Sequence, residues 1–126
     1  MWVIERNLYD QNENDVYETL FTLANGYVSF RGVEEFSNRK IPGTYLAGVF
    51  DKSEAQVTEL VNLPDPLGIR IYVDNEPLLL ELSELLYYDR KLNMKSGVLE
   101  STYIFETSSG KKIDISSKRF VSRKNR

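Results

Sequence analysis

The sequence predicts an all-β fold, an antiparallel β-sandwich, on the basis of three observations. Turn-forming residues, Ser96-Gly97 and Ser108-Ser109-Gly110, separate long runs of β-branched and aromatic residues near the end of the chain. The chain has 126 residues, the length of one domain, and can bury about two-thirds of its unfolded surface. We therefore treat 1–126 as a single β-sandwich segment. Strand periodicity is clearest at 44–50, 69–73, 98–107 and 113–121.

The composition narrows the chemistry open to the chain. It has no Cys and no His, and its formal net charge is −3. Without Cys there is no disulfide framework, thiolate nucleophile or thiolate metal site, and a reducing cytoplasm is the expected location. Without His the usual general base and the commonest metal ligand are missing. Catalysis would therefore have to rest on carboxylates, Lys or Tyr. We predict no catalytic residue, no metal and no cofactor in this segment.

Neither a membrane nor a nucleic acid is an expected partner. No apolar run approaches the roughly 18 residues of a membrane span, and Met1-Trp2-Val3-Ile4 leads directly into Glu5-Arg6. From position 111 onward the sequence contains seven cationic residues and one acidic residue, Asp114. No aromatic residues alternate with these cations as they do in a nucleic-acid site. A solvated strand face and a frayed tail are expected there. The cations are Lys111, Lys112, Lys118, Arg119, Arg123, Lys124 and Arg126.

The first half of the chain predicts short strands around one tight turn. Residues 2–6 form a short strand at most, and the polar residues 7–15 form a loop. Asn25-Gly26-Tyr27 is a turn signal between apolar flanks, which predicts a hairpin or a strand entered from a turn. Residues 34–40 carry no period. Residues 44–51 are apolar on both faces, as expected of an inner strand of a sandwich.

The second half predicts a meander. A strand at 57–63 ends at Pro64-Asp65-Pro66, and a half-buried strand spans 69–73. Residues 77–88 combine helical leucine spacing with strand-like surroundings, and we expect extended structure with at most one helical turn. The last strands are predicted at 87–95, 98–107 and 111–121.

Three groups of residues could carry function. Asn25, Tyr27 and Arg31 could contact a sugar or a phosphate, while Gly26 and Gly32 shape the turn. The structural alternative is that Arg31 pairs with a local carboxylate, Glu18 or Glu34. Glu34-Glu35 is predicted to lie in a solvated loop, because adjacent side chains point apart and cannot form a glycosidase acid pair.

The third group is aromatic and could stack on sugar rings, although core and cross-strand packing is the favoured interpretation. It comprises Tyr45, Phe50, Tyr72, Tyr87, Tyr88, Tyr103 and Phe105.

Five segments, in order along the chain, resemble signatures of the N-terminal domain of glycoside hydrolase family 65, the maltose, trehalose and kojibiose phosphorylases. The longest is Glu18-Thr-Leu-Phe-Thr-Leu-Ala-Asn-Gly-Tyr-Val-Ser-Phe-Arg-Gly32. In Leu92-Asn-Met-Lys-Ser-Gly-Val-Leu99, Asn93 replaces the usual Asp. The other three are Gly43-Thr-Tyr-Leu-Ala-Gly-Val-Phe50, Glu59-Leu-Val-Asn-Leu-Pro64 and Arg119-Phe-Val-Ser122.

The resemblance implies part of the galactose-mutarotase-like super-sandwich that precedes a helical-barrel catalytic domain in this family. The catalytic Glu and phosphate-binding residues lie in that barrel, which uses inorganic phosphate as a substrate and inverts the α-glucoside. The barrel is absent from this chain, which we expect to be a segment of a larger domain, inactive alone and prone to self-association through uncovered strands. The alternatives are a non-catalytic carbohydrate-binding module and a structural or dimerisation module.

Overall fold

The computed structural model describes residues 1–52 and 54–124 and confirms the all-β prediction. Within these residues, antiparallel strands alternate with loops, and the one α-helix is seven residues long, just under two turns. The strands are β1 Val3–Arg6, β2 Leu23–Ala24, β3 Val28–Phe30, β4 Thr44–Leu46, β5 Phe50–Lys52, β6 Thr58–Leu60, β7 Tyr72–Val73, β8 Glu76–Pro77, β9 Glu84–Asn93, β10 Val98–Glu106 and β11 Lys112–Arg119. A 3₁₀ turn, Gln11–Glu13, leads into α1, Asn14–Leu20.

The largest sheet has the strand order β1-β9-β10-β11. Its three long strands form the predicted meander, with turns at Gly97 and Gly110, which both have positive φ angles of 69° and 82°. A second sheet has the order β2-β3-β4, and β5-β6 and β7-β8 are separate hairpins. All pairings are antiparallel.

The core lies between the large sheet and the elements that cover it. At one end, Phe21 and Leu23 pack on Leu92 and Leu99 of β9 and β10. At the other end the covering residues are Phe36, Leu78 and Leu80, which pack on the large sheet. The sheet residues there are Tyr88, Tyr103 and Phe105. The second sheet, the loop between its strands β3 and β4, and the β7-β8 hairpin with the residues after it thus form the second layer of the sandwich.

The helix is the main correction to the sequence prediction, which placed a loop over 7–15. The Asp10 side chain accepts a hydrogen bond from the backbone N–H of Asn12 at 2.9 Å and caps the 3₁₀ turn. Asn14 and Glu18, four residues apart on α1, are buried. Because the inward face of α1 carries polar side chains, hydrophobic periodicity could not identify it.

The predicted inner strand over 44–51 is also wrong. Gly48 has a φ angle of 83° and divides the segment into β4 and β5. All three residues of β5 are exposed. The strand predicted over 57–63 is shorter than expected: it is β6, and its three residues are also exposed. The strand predicted over 69–73 is also shorter and comprises only Tyr72–Val73. Residues 77–88 are extended, as predicted, and contain a single turn. The N–H of Ser83 donates to the carbonyl of Leu79 at 2.8 Å and closes this turn.

Candidate functional site

The Asn25-Gly26-Tyr27 turn is held by the side chain of Asn25. Its Oδ1 accepts hydrogen bonds from the backbone N–H groups of Tyr27 at 2.9 Å and Val28 at 2.8 Å. Its Nδ2 donates to the carbonyl of Ser122 at 2.8 Å and ties the turn to the chain beyond β11. Gly26 has a φ angle of 85°, which L-residues rarely adopt.

Arg31 lies against α1. Its guanidinium donates to the carbonyl of Asp15 at 3.0 Å and lies 3.6 Å from the carboxylates of Asp15 and Glu18. Burial raises the pKa of Glu18, opposed by hydrogen bonds from the backbone N–H groups of Ile41 and Glu34. The pairing with Glu18 matches the structural alternative, while Glu34 has other partners.

Gly32 is required by a close approach and not by a positive φ angle. A Cβ at this position would lie 2.4 Å from Cβ of Phe21 and 2.6 Å from the Phe21 backbone. The Gly32 N–H donates to the carbonyl of Glu18 at 2.8 Å, which fixes the loop against the end of α1.

The three predicted contact residues have separate surroundings. Asn25 faces Ser122, Arg31 faces α1, and Tyr27 lines a small apolar cleft of about 210 Å³ with Tyr45 and Leu60. Their contact with a substrate therefore stays a prediction. In the structure, Asn25 and Arg31 bind other parts of the chain, and Tyr27 forms part of a cleft wall.

The prediction of a solvated loop for Glu34-Glu35 is wrong, because both side chains are buried in an ion cluster. Glu34 Oε1 lies 3.1 Å from the guanidinium groups of both Arg6 and Arg90, and Tyr88 donates to it at 2.5 Å. Glu35 Oε1 lies 3.0 Å from the guanidinium of Arg119 and forms an ion pair with it. The ion cluster comprises Arg6, Arg90, Arg119, Glu34, Glu35, Tyr88 and Tyr103.

The two glutamates converge on one hydroxyl, although adjacent side chains were expected to point apart. Tyr103 Oη lies 2.9 Å from Glu34 Oε2 and 2.6 Å from Glu35 Oε2, and its single proton serves one carboxylate at a time. The two residues lie in a loop, with Glu35 at the start of a turn, and not in a strand, which is why the alternation rule fails.

The charges of the cluster offset its burial. Burial alone would raise the pKa of Glu35, but Arg90 and Arg119, with the Tyr103 hydroxyl, hold it below its ordinary value. Burial raises the pKa of Tyr103 well above its ordinary value, Arg90 opposes this and Glu34 adds to it. The carboxylate of Glu35 is therefore ionised and paired at neutral pH.

The ion cluster also clamps the backbone of the loop after Gly32. Arg90 donates to the carbonyls of Gly32 at 3.1 Å and Val33 at 3.2 Å, and to Ser101 Oγ at 3.0 Å. Arg119 donates to the carbonyl of Val33 at 3.1 Å. Because Glu34 is fully buried and Glu35 is 6% exposed, and both carboxylates are paired with arginines, their arrangement supports the fold.

A sequence signal for the cluster existed in the strand alternation. Arg6, Arg90 and Ser101 are aligned across β1, β9 and β10, in one row of the large sheet. A charged residue at an inward position of a predicted strand must have a buried partner, and this pattern could have indicated the ion cluster. Arg119 also points inward, so the prediction of a solvated basic face is wrong for this residue. Lys118, in contrast, is exposed beside Glu100. Arg126 lies outside the described residues.

The aromatic group divides between core and surface. Tyr88, Tyr103 and Phe105 are buried, as the favoured interpretation predicted. Tyr45 is half-buried. Phe50, Tyr72 and Tyr87 are 57%, 59% and 49% exposed, so core packing is wrong for these three. Each of them does lie opposite an apolar residue of the neighbouring strand, which agrees with the cross-strand part of the interpretation.

The described part of the chain contains neither a candidate membrane span nor a candidate metal site. No helix in that part is long and apolar enough to cross a membrane. No group of three or more acidic side chains within the same residues is arranged to hold a metal ion.

Comparisons with known proteins give a consistent result. Residues 4–126 match the model of glycosyl hydrolase family 65, N-terminal domain. Over 126 residues the chain is 43% identical to a kojibiose phosphorylase of Caldanaerobacter subterraneus subsp. tengcongensis, covering 99% of this chain and 16% of that protein. A kojibiose phosphorylase of Thermoanaerobacter brockii is 43% identical over 123 residues, covering 97% of this chain and 16% of that protein.

A solved structure supports the same fold. A putative kojibiose phosphorylase from human microbiome superimposes with a TM-score of 0.90 at 22% identity, over 97% of this chain and 18% of that one. The chain therefore spans about a sixth of the length of the relatives that it matches.

Proposed function

The chain belongs to glycosyl hydrolase family 65, whose N-terminal domain it matches, and from this premise we propose that it is the accessory β-domain of a larger cytoplasmic phosphorylase. The larger protein would cleave an α-linked disaccharide of glucose, such as kojibiose, with inorganic phosphate as co-substrate and no other cofactor. The 43% identity to kojibiose phosphorylases supports this substrate class. The chemistry would belong to a helical-barrel domain outside this chain.

The role of the accessory domain is to pack against the rest of the larger protein. The observation that carries this role is the β5-β6 hairpin, in which every strand residue is exposed. A two-stranded hairpin without a packed face is marginal in water. We therefore assign the hairpin as the docking surface.

The hairpin carries exposed apolar side chains and adjoins the Asn25-Gly26-Tyr27 turn. Phe50 and Leu60, cross-strand partners, are 57% and 49% exposed, and Val57 is 54% exposed. Tyr27, 47% exposed, lines the cleft that Leu60 also lines. An exposed apolar patch of this kind is typical of an interaction surface. In the isolated chain the same surface is the one that we assign to the predicted self-association.

The isolated chain should be inactive. Its sequence has no His, and the adjacent carboxylates of Glu34 and Glu35 are buried and neutralised by arginines. We expect no glucose 1-phosphate when the chain is incubated with phosphate and kojibiose, maltose or trehalose. Release above a buffer blank that is lost on replacing Glu34 or Glu35 by Gln would show that the chain is itself an enzyme.

A further inference from the structure

A second concave surface lies at the end of the large sheet, away from the ion cluster. It is a cleft of about 430 Å³, within the size range of small-molecule sites. The end of β2, the β9-β10 turn and the residues after β11 form its walls. Three of the five segments that resemble family signatures meet here, through Ala24, Met94 and Phe120.

The walls of this cleft are fixed by hydrogen bonds. Asn93 Oδ1 accepts from the backbone N–H groups of Lys95 at 3.0 Å and Ser96 at 3.2 Å, which shapes the β9-β10 turn. Asn25 holds the opposite wall through the carbonyl of Ser122. The cleft is therefore formed before any ligand arrives.

Two cations whose side chains have no partner among the described residues line the cleft. The side chains of Lys95 and Arg123 are exposed, and neither forms an ion pair or hydrogen bond with another described residue. Four lysines elsewhere in the chain, Lys40, Lys91, Lys111 and Lys118, do form ion pairs with carboxylates. Unpaired cations on two walls of one cleft leave an uncompensated positive charge, which suits an anion.

The same cleft presents apolar surface. Phe120 is 67% exposed and Met94 is 46% exposed, and both line it. A flat aromatic face packs against the C–H face of a sugar ring. From these two features we propose that the cleft binds a phosphorylated sugar, with the phosphate between Lys95 and Arg123 and the ring against Phe120.

The division of labour follows from side-chain chemistry. The guanidinium of Arg123 offers a planar fork to two phosphate oxygens, and Lys95 adds a point charge from the opposite wall. Phe120 contributes contact area to the sugar and nothing to a free phosphate ion. The proposed site contains no residue of the β5-β6 hairpin, so a test of sugar-phosphate binding does not depend on the docking role of the hairpin.

The test is a titration of the 126-residue chain with glucose 1-phosphate, inorganic phosphate and glucose, followed by amide NMR shifts and calorimetry. Glucose 1-phosphate should shift the amides of Lys95, Ser96 and Gly97 saturably, and should bind about tenfold more tightly than phosphate or glucose. Equal affinity for phosphate and glucose 1-phosphate, or shifts confined to other residues, would overturn the proposal.

Three variants separate the contributions. Lys95→Gln and Arg123→Gln should each weaken glucose 1-phosphate binding about tenfold. Phe120→Ala should weaken it about fivefold and leave phosphate binding unchanged. Lys112→Gln removes the same charge at the opposite end of β11 and serves as the matched control, with an expected change under about twofold. A loss in Lys112→Gln as large as that in Lys95→Gln would reduce the effect to net charge and refute the site.

Discussion

Replacing Arg90 by methionine should lower the free energy of unfolding by about 3–5 kcal/mol, because it leaves buried carboxylates without their central cation. The guanidinium of Arg90 is fully buried and lies 3.1 Å from Glu34. It also donates to the carbonyls of Gly32 and Val33, and methionine can replace none of these bonds. Small domains are stable by about 5–15 kcal/mol, so the variant should be marginal at room temperature. Chemical denaturation followed by tyrosine fluorescence measures the change.

The matched control for Arg90→Met is Lys118→Met. Lys118 also pairs with a glutamate across neighbouring strands, at 3.2 Å from Glu100, but the two side chains are 72% and 52% exposed. An exposed pair contributes about 0–1 kcal/mol. Similar losses in the two variants would mean that the buried ion cluster does not hold the loop against the sheet.

Replacing Gly32 by valine should destabilise the chain by about 3 kcal/mol or more, which exceeds the ordinary cost of overpacking. The added Cβ would lie 2.4 Å from Cβ of Phe21, and the Phe21 backbone cannot retreat because its N–H is bonded to the carbonyl of Tyr17 at 2.9 Å. Any shift of Gly32 also breaks its own bond to Glu18. Thermal unfolding followed by circular dichroism gives the ranking.

Two variants of the neighbouring turn calibrate this result. Gly26→Val has open space around its Cβ but a φ angle of 85°, so strain alone should cost about 1–3 kcal/mol. Tyr27→Phe removes a hydroxyl from a side chain that is 47% exposed and should have almost no effect. A melting temperature of Gly32→Val equal to that of the wild type would contradict the close approach of the loop to α1.

The sequence predicted the meander because its turns and strands obey local rules. Gly97 and Gly110 occupy positive φ angles between strands of β-branched and aromatic residues, and that information lies within a few residues. The pairing of Arg31 with Glu18 was open to sequence reasoning for a similar reason, since few local carboxylates were available.

The features that the sequence did not reveal depend on tertiary partners. Glu34 and Glu35 look like a polar loop until arginines from β9 and β11 lie beside them. Their contacts with Arg90 span more than 50 positions, and no local pattern encodes them. The helix α1 was missed because its buried face is polar. Phe50 is an error of the opposite kind, because an apolar side chain predicts burial and Phe50 is 57% exposed.

Hydrogen–deuterium exchange at the β5-β6 hairpin is the most direct test of the proposed docking role. The amides of Phe50–Lys52 and Thr58–Leu60 would be measured in the isolated chain and in the larger protein that contains it. At concentrations low enough to keep the isolated chain monomeric, we expect its hairpin to exchange at close to the rate of an unfolded peptide, and we expect exchange at least about tenfold slower in the larger protein, where the exposed apolar side chains are covered. Equal exchange in the two forms, or protection in the isolated chain matching that of β9 and β10, would contradict the account.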